Sequence, residues 1–121
     1  MTGSGEPRVV LFVYGSLKRG HANHRQLAGA RFVGVACTAR AFALREIDGY
    51  PALVPGERAI TGELYELSLA ALSALDEFEG DGYVRAEIEL SDAAIAIAYL
   101  ARTPRAGTPL SASEWPLPRP I

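Results

Sequence analysis

The stretch Val9-Val10-Leu11-Phe12-Val13-Tyr14, followed directly by Gly15-Ser16-Leu17, decides the fold of this chain. An unbroken run of β-branched, aromatic and aliphatic side chains is typical of a strand buried on both faces, because a strand with one wet face alternates apolar and polar residues. The run stops abruptly at Gly15, and polar residues follow. The pattern therefore predicts a buried strand that ends in a polar loop.

One clear helix stands out among several short strand-like stretches. Ser68 is a good N-cap, and apolar side chains at every third position (Leu69, Leu72, Leu75, Phe78), with alanines between them, predict a helix from residue 69 to about residue 78. Asn23 is expected to cap a short helix over residues 24–28. Strands are predicted over residues 31–36, 39–47, 60–67, 83–90 and 94–100.

The order of these elements determines the fold class. Strands and helices do not alternate regularly, so a doubly wound parallel sheet is not expected. Several strands with one substantial helix predict an α+β fold, with a curled mixed sheet or small barrel packed by that helix. The 121 residues fit one domain. We expect a disordered N-terminus at 1–8, one domain at 9–115 and an irregular C-terminal tail at 116–121. Five prolines between residues 103 and 121 predict that this last part of the chain is extended or irregular, with Trp115 as its only large anchor.

Composition and charge exclude several function classes. With 49% hydrophobic residues, 21% charged residues and a net charge of -2, the chain is globular, and its scattered Lys and Arg residues argue against nucleic-acid binding. No apolar stretch is long enough to span a membrane and the start lacks the features of a secretory signal, so we expect a cytoplasmic protein. Cys37 is expected to be a small core residue, and His21 and His24 lack a third ligand. No metal site or cofactor is predicted.

The first candidate site is the turn Tyr14-Gly15-Ser16-Leu17. Where a buried strand breaks at a glycine, backbone N–H groups lose their strand partners and can bind a carboxylate or a developing oxyanion. Gly15 permits the turn and a close approach of a ligand. The alternative is an ordinary turn after a strand. Neither a P-loop motif nor a dinucleotide-binding motif is present.

The second candidate is Glu79, within the acidic cluster Asp76-Glu77-Phe78-Glu79-Gly80-Asp81 at the end of the predicted helix. A helix C-terminus disfavours acids. Asp76, Glu77 and Asp81 are expected to be solvated, whereas Glu79 follows Leu75 by four residues and projects near the apolar stripe. Burial, like charges and the helix end should all raise its pKa, which suits a general base. Tyr83 and Tyr99 are core aromatics whose polar tips can reach a pocket.

Taken together, these segments resemble the γ-glutamyl cyclotransferase superfamily, in particular its AIG2-like and γ-glutamylamine cyclotransferase branch. The resemblance runs from about residue 9 to residue 115. It rests on several motifs in the right order: Val13-Tyr14-Gly15-Ser16-Leu17-Lys18-Arg19-Gly20 with Asn23-His24, Gly49-Tyr50-Pro51, Thr61-Gly62-Glu63-Leu64-Tyr65, Leu75-Asp76-Glu77-Phe78-Glu79-Gly80, Tyr83-Val84-Arg85, Ala98-Tyr99-Leu100 and Ser113-Glu114-Trp115.

The resemblance implies a small mixed-strand β-barrel with helices outside and a cavity at one mouth. It also implies that the loop Tyr14, Gly15, Ser16 and Leu17 binds the γ-glutamyl part of a small substrate through its backbone amides. From their positions in the sequence, Tyr83 and Tyr99 are expected to contribute to the same pocket. Glu79 would be the base in a cyclisation that releases 5-oxoproline without metal or cofactor. The version Lys18-Arg19-Gly20 argues mildly against glutathione as substrate.

Several points stay open at this level. The leaving amine cannot be named from the sequence, and the protein is expected to be a monomer or homodimer. One alternative function is a non-catalytic module that binds a small carboxylate on the same fold. Another is the biosynthetic removal of a γ-glutamyl group from a larger amine.

Overall fold

The computed structural model of the protein describes residues 7–116, which form eight strands, one α-helix and one 3-10 helix. The N- and C-terminal segments predicted to be disordered or irregular fall largely outside this range, and β1 begins one residue before the predicted start of the domain. The elements are β1 Arg8–Val13, the 3-10 helix His24–Leu27, β2 Arg31–Cys37, β3 Phe42–Ile47, β4 Tyr50–Pro55, β5 Thr61–Ser68, α1 Leu69–Glu79, β6 Tyr83–Glu89, β7 Ile95–Ala101 and β8 Thr108–Leu110.

The strands form one mixed sheet in the order β2-β5-β1-β7-β4-β3-β8, and β6 pairs with β7 outside that path. Neighbouring strands are antiparallel except that β1 and β4 both run parallel to β7. The sheet curls into a half-barrel with the single α-helix packed against it. The predicted α+β class and curled mixed sheet are confirmed.

Strand β1 occupies the centre of the sheet, between β5 and β7. Leu11 and Val13 belong to a buried cluster that α1 covers with Leu72 and Leu75. Phe12 points into a second buried cluster on the other face of the sheet. The unbroken apolar run is therefore explained, because alternate side chains of β1 enter two different cores.

Helix α1 begins as predicted. The Oγ of Ser68 accepts a hydrogen bond from the N–H of Ala71 at 3.1 Å, and the helix ends at Gly80, whose φ of 73° favours glycine. The predicted stripe is half wrong: Leu72 and Leu75 are buried, but Leu69 and Phe78 are 42% and 41% exposed. Three residues turn an α-helix by about 300°, so each member of a three-residue repeat lies about 60° around the helix from the one before it. After the three steps from Leu69 to Phe78, the two side chains lie on opposite sides of the helix.

One prediction around the loops is wrong, and another is made more specific. Residues 24–28 are not an α-helix capped by Asn23: the segment is a 3-10 helix, and the Asn23 side chain makes no capping hydrogen bond. The proline-rich segment after residue 102, predicted to be extended or irregular, contains strand β8, which pairs with β3. Arg45 of β3 holds this segment, since its guanidinium donates to the carbonyls of Arg105, Ala106 and Gly107 at 2.6–3.1 Å. A single arginine thus orders a stretch that composition alone marks as irregular.

Two residues with a predicted structural role, Trp115 and Cys37, lie within residues 7–116. Trp115 packs against the second buried cluster, as predicted for the anchor of the tail. Cys37 is half-buried on β2 rather than in the core, with its Sγ 3.4 Å from Oγ1 of Thr61. None of the helices in this range has the length and apolar character needed to cross a bilayer.

Candidate active site

A cavity of about 480 Å³ lies where strands β1 and β4 separate. Strand β7 pairs with β6 along its whole length and shares its other edge between β1, at Leu11 opposite Ile97, and β4, at Leu53 opposite Leu100. The sheet therefore forks beside Tyr99. The cavity occupies this fork and is closed on one side by the end of α1. Its lining residues are Phe12, Val13, Tyr14, Gly15, Ser16, Leu17, Asn23, Ile47, Asp48, Tyr50, Pro51, Phe78, Glu79, Gly82, Tyr83 and Tyr99.

The Tyr14 hydroxyl joins the three strands at the fork. It donates to the carbonyl O of Tyr99 on β7 at 2.5 Å and accepts from the N–H of Leu53 on β4 at 3.1 Å. Burial raises the pKa of Tyr14 far above its ordinary value, so the hydroxyl remains protonated. The ring of Tyr14 lines the cavity, whereas its hydroxyl is hydrogen-bonded to β4 and β7. A ligand in the cavity can therefore pack against the ring without a hydrogen bond to the hydroxyl.

The loop after β1 presents backbone donors to the cavity. The N–H groups of Gly15, Ser16 and Leu17 donate to no acceptor among residues 7–116. The loop keeps its shape through other bonds: the N–H of Asn23 donates to the carbonyl O of Ser16 at 2.9 Å, and its Nδ2 donates to Oγ of Ser16 at 2.7 Å. Three N–H groups that have no acceptor among residues 7–116, in a loop held by other hydrogen bonds, are suited to binding an anion.

Gly15 lets the loop after β1 pass close to Pro51 of β4. A Cβ at this position would lie 2.7 Å from Cγ of Pro51, closer than side-chain atoms approach one another. The close approach that the structure shows at Gly15 is that of Pro51 in β4, whereas the predicted close approach of a ligand stays a prediction. Any larger residue would push the hairpin formed by β3 and β4 away from the loop.

The side of the loop that faces away from the cavity is held by side chains that are not among the residues predicted for the site. Lys18 is only 6% exposed, and its Nζ donates to the carbonyl O of Trp115 at 2.5 Å and lies 3.8 Å from Oε2 of Glu114. The His21 ring packs against Trp115, with the ring centroids 5.4 Å apart. His24 turns the other way, with Nδ1 2.9 Å from the carbonyl O of Leu17. The C-terminal segment therefore supports the loop from outside the cavity.

Glu79 is the last residue of α1 and lines the cavity opposite the loop. Viewed down the helix it lies about 40° from Leu75 and about 20° from Leu72, closer to the buried side than Phe78 is. Burial raises the pKa of Glu79 to about 7. The predicted rise is confirmed, and burial is its cause rather than the neighbouring acids. At neutral pH this carboxyl can therefore both accept and return a proton.

Asp76 is not the solvated surface acid that the sequence predicted. Its Oδ1 accepts a hydrogen bond from the Tyr99 hydroxyl at 2.7 Å, and its Oδ2 lies 3.6 Å from Nε of Arg85. Burial first, and then the bond to Asp76, raise the pKa of Tyr99. Glu77 and Asp81 are exposed, as predicted. The network of Tyr99, Asp76 and Arg85 binds the end of α1 to strands β6 and β7.

Tyr83 closes the cavity between β6 and β4. Its hydroxyl donates to the carbonyl O of Pro51 at 3.1 Å. Burial raises the pKa of Tyr83 to about 12, with smaller contributions from the negative charges of Glu79 and Asp48. The structure thus brings all seven residues selected from the sequence, Glu79, Tyr14, Gly15, Ser16, Leu17, Tyr83 and Tyr99, to one cavity.

Three residues at the opening of the cavity were missed. Asp48 lies in the turn between β3 and β4, where it has a φ of 52°, and Tyr50 and Phe78 are 48% and 41% exposed. The spacing of residues in the sequence does not reveal that β4 joins β7 beside the loop. No cluster of three or more metal-binding side chains occurs within residues 7–116.

The chain matches known proteins over almost its whole length. Residues 11–117 match the family described as gamma-glutamyl cyclotransferase, AIG2-like. A putative gamma-glutamylcyclotransferase of Vibrio cholerae is 31% identical over 109 residues, covering 88% of this chain and 94% of that protein. The human gamma-glutamylaminecyclotransferase is 35% identical over 83 residues, covering 58% of this chain and about half (52%) of the human protein.

A solved structure agrees with these matches. The crystal structure of an AIG2-like protein from Mus musculus superposes with a TM-score of 0.71 at 30% identity, covering 79% of this chain and 78% of that one. The fold and the resemblance inferred from the motifs are confirmed.

Proposed function

Because the chain belongs to the gamma-glutamyl cyclotransferase, AIG2-like family, we propose that it converts a γ-glutamyl compound into 5-oxoproline and a free amine or amino acid. The name of the human relative supports an amide of the γ-carboxyl as the bond that is broken. One observation carries the proposal for this chain: the Glu79 carboxyl, with its pKa raised to about 7, and the three free N–H groups of the loop line the same cavity.

The loop holds the glutamyl part of the substrate. Its free N–H groups at Gly15, Ser16 and Leu17 suit the α-carboxylate or the developing oxyanion, since both are negative and the donors need no rearrangement. The apolar floor of the cavity around Phe12 and Val13 packs against the methylene groups of the glutamyl chain. Bound in this way, the α-amine and the γ-carbonyl of one molecule are held for attack.

Glu79 moves the proton. It accepts a proton from the α-ammonium of the substrate, and the freed amine attacks the γ-carbonyl carbon, which forms the C–N bond of a five-membered ring. The bond from that carbon to the leaving nitrogen breaks as Glu79 returns its proton there. The second proton lost by the ring nitrogen also ends on the released amine, which leaves as an ammonium, and no water is consumed.

The proposal is tested by two matched substitutions at the end of α1. Glu79→Gln keeps the size of the side chain but cannot carry the proton, so we expect the release of 5-oxoproline from γ-glutamyl amides to fall by about 10²- to 10⁴-fold in kcat. Glu77→Gln, two residues earlier on the exposed side, should retain the parent rate. Equal rates for the parent and Glu79→Gln would overturn the role of Glu79.

The pH dependence gives an independent check. Glu79 must be ionised in the free enzyme to accept a proton, so kcat/KM should rise with pH through a pKa of about 7. An ordinary exposed carboxyl would place this rise near 4 to 5. If a screen of γ-glutamyl amino acids, γ-glutamylamines and glutathione gives no 5-oxoproline while a small carboxylate binds saturably, the protein is a binding module.

A further inference from the structure

Lys18 is the only lysine of the chain, and it is buried. A lysine is almost never buried unless its ammonium is paired, because removing the charge from water is costly. Nζ donates to the carbonyl O of Trp115. Its ion-pair partner within residues 7–116 is Glu114, whose Oε2 lies 3.8 Å from Nζ and whose side chain is 61% exposed. That distance is too long for a hydrogen bond, so the protein neutralises this buried charge only weakly.

The turn that carries this ammonium also carries the three N–H groups of the loop. The N–H of Lys18 donates to the carbonyl O of Gly15 at 3.0 Å, which closes a four-residue turn. Gly15, Ser16 and Leu17 line the cavity, whereas Lys18 does not. Because the ends of such a turn lie close together, the ammonium is on the order of 10 Å from an anion bound at the N–H groups.

A carboxylate bound at the loop has no other positive charge close to it. Among residues 7–116, the charged side chains that line the cavity are the acids Asp48 and Glu79, and no Lys, Arg or His lines it. Arg19, the next residue of the loop, is directed elsewhere. Its guanidinium lies 3.8 Å from the ring centroid of Phe32, and its Nε lies 3.9 Å from Oε2 of Glu63. Lys18 is therefore the basic residue of the loop whose charge is available to a ligand.

The C-terminal segment fixes the position of this charge. Trp115, whose carbonyl O accepts from Nζ, packs against the second buried cluster. Two residues earlier, the carbonyl O of Ser113 accepts from the N–H of Thr61 at 2.7 Å, which ties the segment to β5. The ammonium is thus held in place before a ligand arrives, and a charge held in this way needs no rearrangement on binding.

We propose that Lys18 is a positioning residue whose buried charge strengthens the binding of the substrate's α-carboxylate at the loop. This inference rests on the proposed function, which takes the loop as the site of the glutamyl part. Two unit charges about 10 Å apart near a protein surface attract strongly enough to change an affinity about ten-fold. A lysine that only shapes the loop through Trp115 would affect charged and neutral ligands equally.

The experiment compares two ligands that differ in charge. Titration calorimetry measures the affinities of 5-oxoproline, which carries a carboxylate, and of 5-oxoprolinamide, in which a neutral amide replaces it. We expect the parent to bind 5-oxoproline more tightly. In Lys18→Met, which keeps the length of the side chain without its charge, the ratio of the two affinities should fall about ten-fold. The control Arg25→Met removes an exposed positive charge from the 3-10 helix, and its ratio should stay within about two-fold of the parent.

A second substitution tests the same charge without changing Lys18. Glu114→Gln removes the negative charge beside the ammonium, so the ratio of affinities should stay the same or rise by up to about two-fold, since Glu114 is exposed and screened by water. A lower ratio in Glu114→Gln would contradict the inference, and this arm decides if Lys18→Met does not fold. Thermal unfolding of each variant establishes whether it is folded.

The outcomes separate this inference from the proposed function. Equal losses of affinity for both ligands in Lys18→Met, or a parent that binds 5-oxoproline no more tightly than 5-oxoprolinamide, would overturn the role of the charge. If the parent still releases 5-oxoproline from γ-glutamyl compounds in that case, the proposed function stands. If the ratio falls as expected but the parent releases no 5-oxoproline from any γ-glutamyl compound, the proposed reaction fails and the role of Lys18 in anion binding stands.

Discussion

Replacing Glu79 with Gln should make the protein more stable at neutral pH while removing its proposed proton carrier. In the folded protein the carboxyl has a pKa of about 7, whereas its ordinary value of 4.5 applies to the unfolded chain. Above pH 7 the folded state must keep a buried carboxylate that the unfolded state holds in water. Glutamine carries no charge at any pH and avoids that cost.

The magnitude follows from the two pKa values. Since the folded pKa is raised, the stability contributed by this carboxyl is complete below pH 4.5 and is lost as pH rises to 7. At about 1.4 kcal/mol for each pKa unit, the gap corresponds to about 3 kcal/mol. This is a large part of the roughly 5–15 kcal/mol that keeps a domain of this kind folded.

Urea unfolding at several pH values, followed by the fluorescence of the single tryptophan, Trp115, measures this difference. We expect the parent and Glu79→Gln to have similar free energies of unfolding at pH 4. At pH 8 the variant should be more stable by about 3 kcal/mol, which moves the urea midpoint by about 2 M for a typical slope. A difference that is the same at pH 4 and pH 8 would refute burial of the charge as the cause. The exposed control Glu77→Gln should stay within about 0.5 kcal/mol of the parent.

Three further predictions concern the framework of the cavity. Gly62→Ala places a Cβ against the carbonyl O of Val13, and this overpacking should destabilise the protein by about 1–3 kcal/mol or more. The melting temperature should therefore fall, and an unchanged melting temperature would contradict the prediction. Tyr14→Phe leaves a buried N–H and a buried carbonyl without partners at the fork and should cost about 1–3 kcal/mol in urea unfolding, whereas a neutral effect would show that the bridge contributes nothing. Ser68→Ala removes the cap of α1 and should cost about 1 kcal/mol in the same assay, with Ser68→Asp retaining most of the parent stability.

Local patterns predicted the parts of the molecule that depend on local physics. The apolar run in β1 indicated burial on two faces, and Ser68 marked the start of α1. Glu79 was selected because it follows Leu75 by one helical turn, and the structure places it on the buried side with a raised pKa. Its role in catalysis stays a proposal.

Contacts between distant segments could not be predicted in this way. Asp76 is adjacent to Glu77 in the sequence but bonds to Tyr99 and Arg85, which arrive from two other strands. Strand β8 depends on Arg45, which lies far from it along the chain. The placement of Asp48 at the cavity requires β4 to share an edge of β7 with β1. A local sequence pattern indicates whether a segment tends to form a helix or a strand. It does not indicate which other strand that segment will pair with.

The position of β1 inside the sheet, between β5 and β7, affects how the chain folds during synthesis. Ribosomes deliver β1 before its partners, and Leu11 finds its neighbours only when Tyr65 of β5 and Ile97 of β7 have been synthesised. Until β5 has been synthesised this apolar segment lacks the strands that flank it in the folded sheet, and pairing between distant segments is slow. An unpaired apolar strand is prone to aggregation, so β1 is most open to wrong pairing before β5 and β7 have been synthesised. The loop after β1 lines the cavity together with Tyr99 of β7, so the cavity is complete only after β7 has been synthesised.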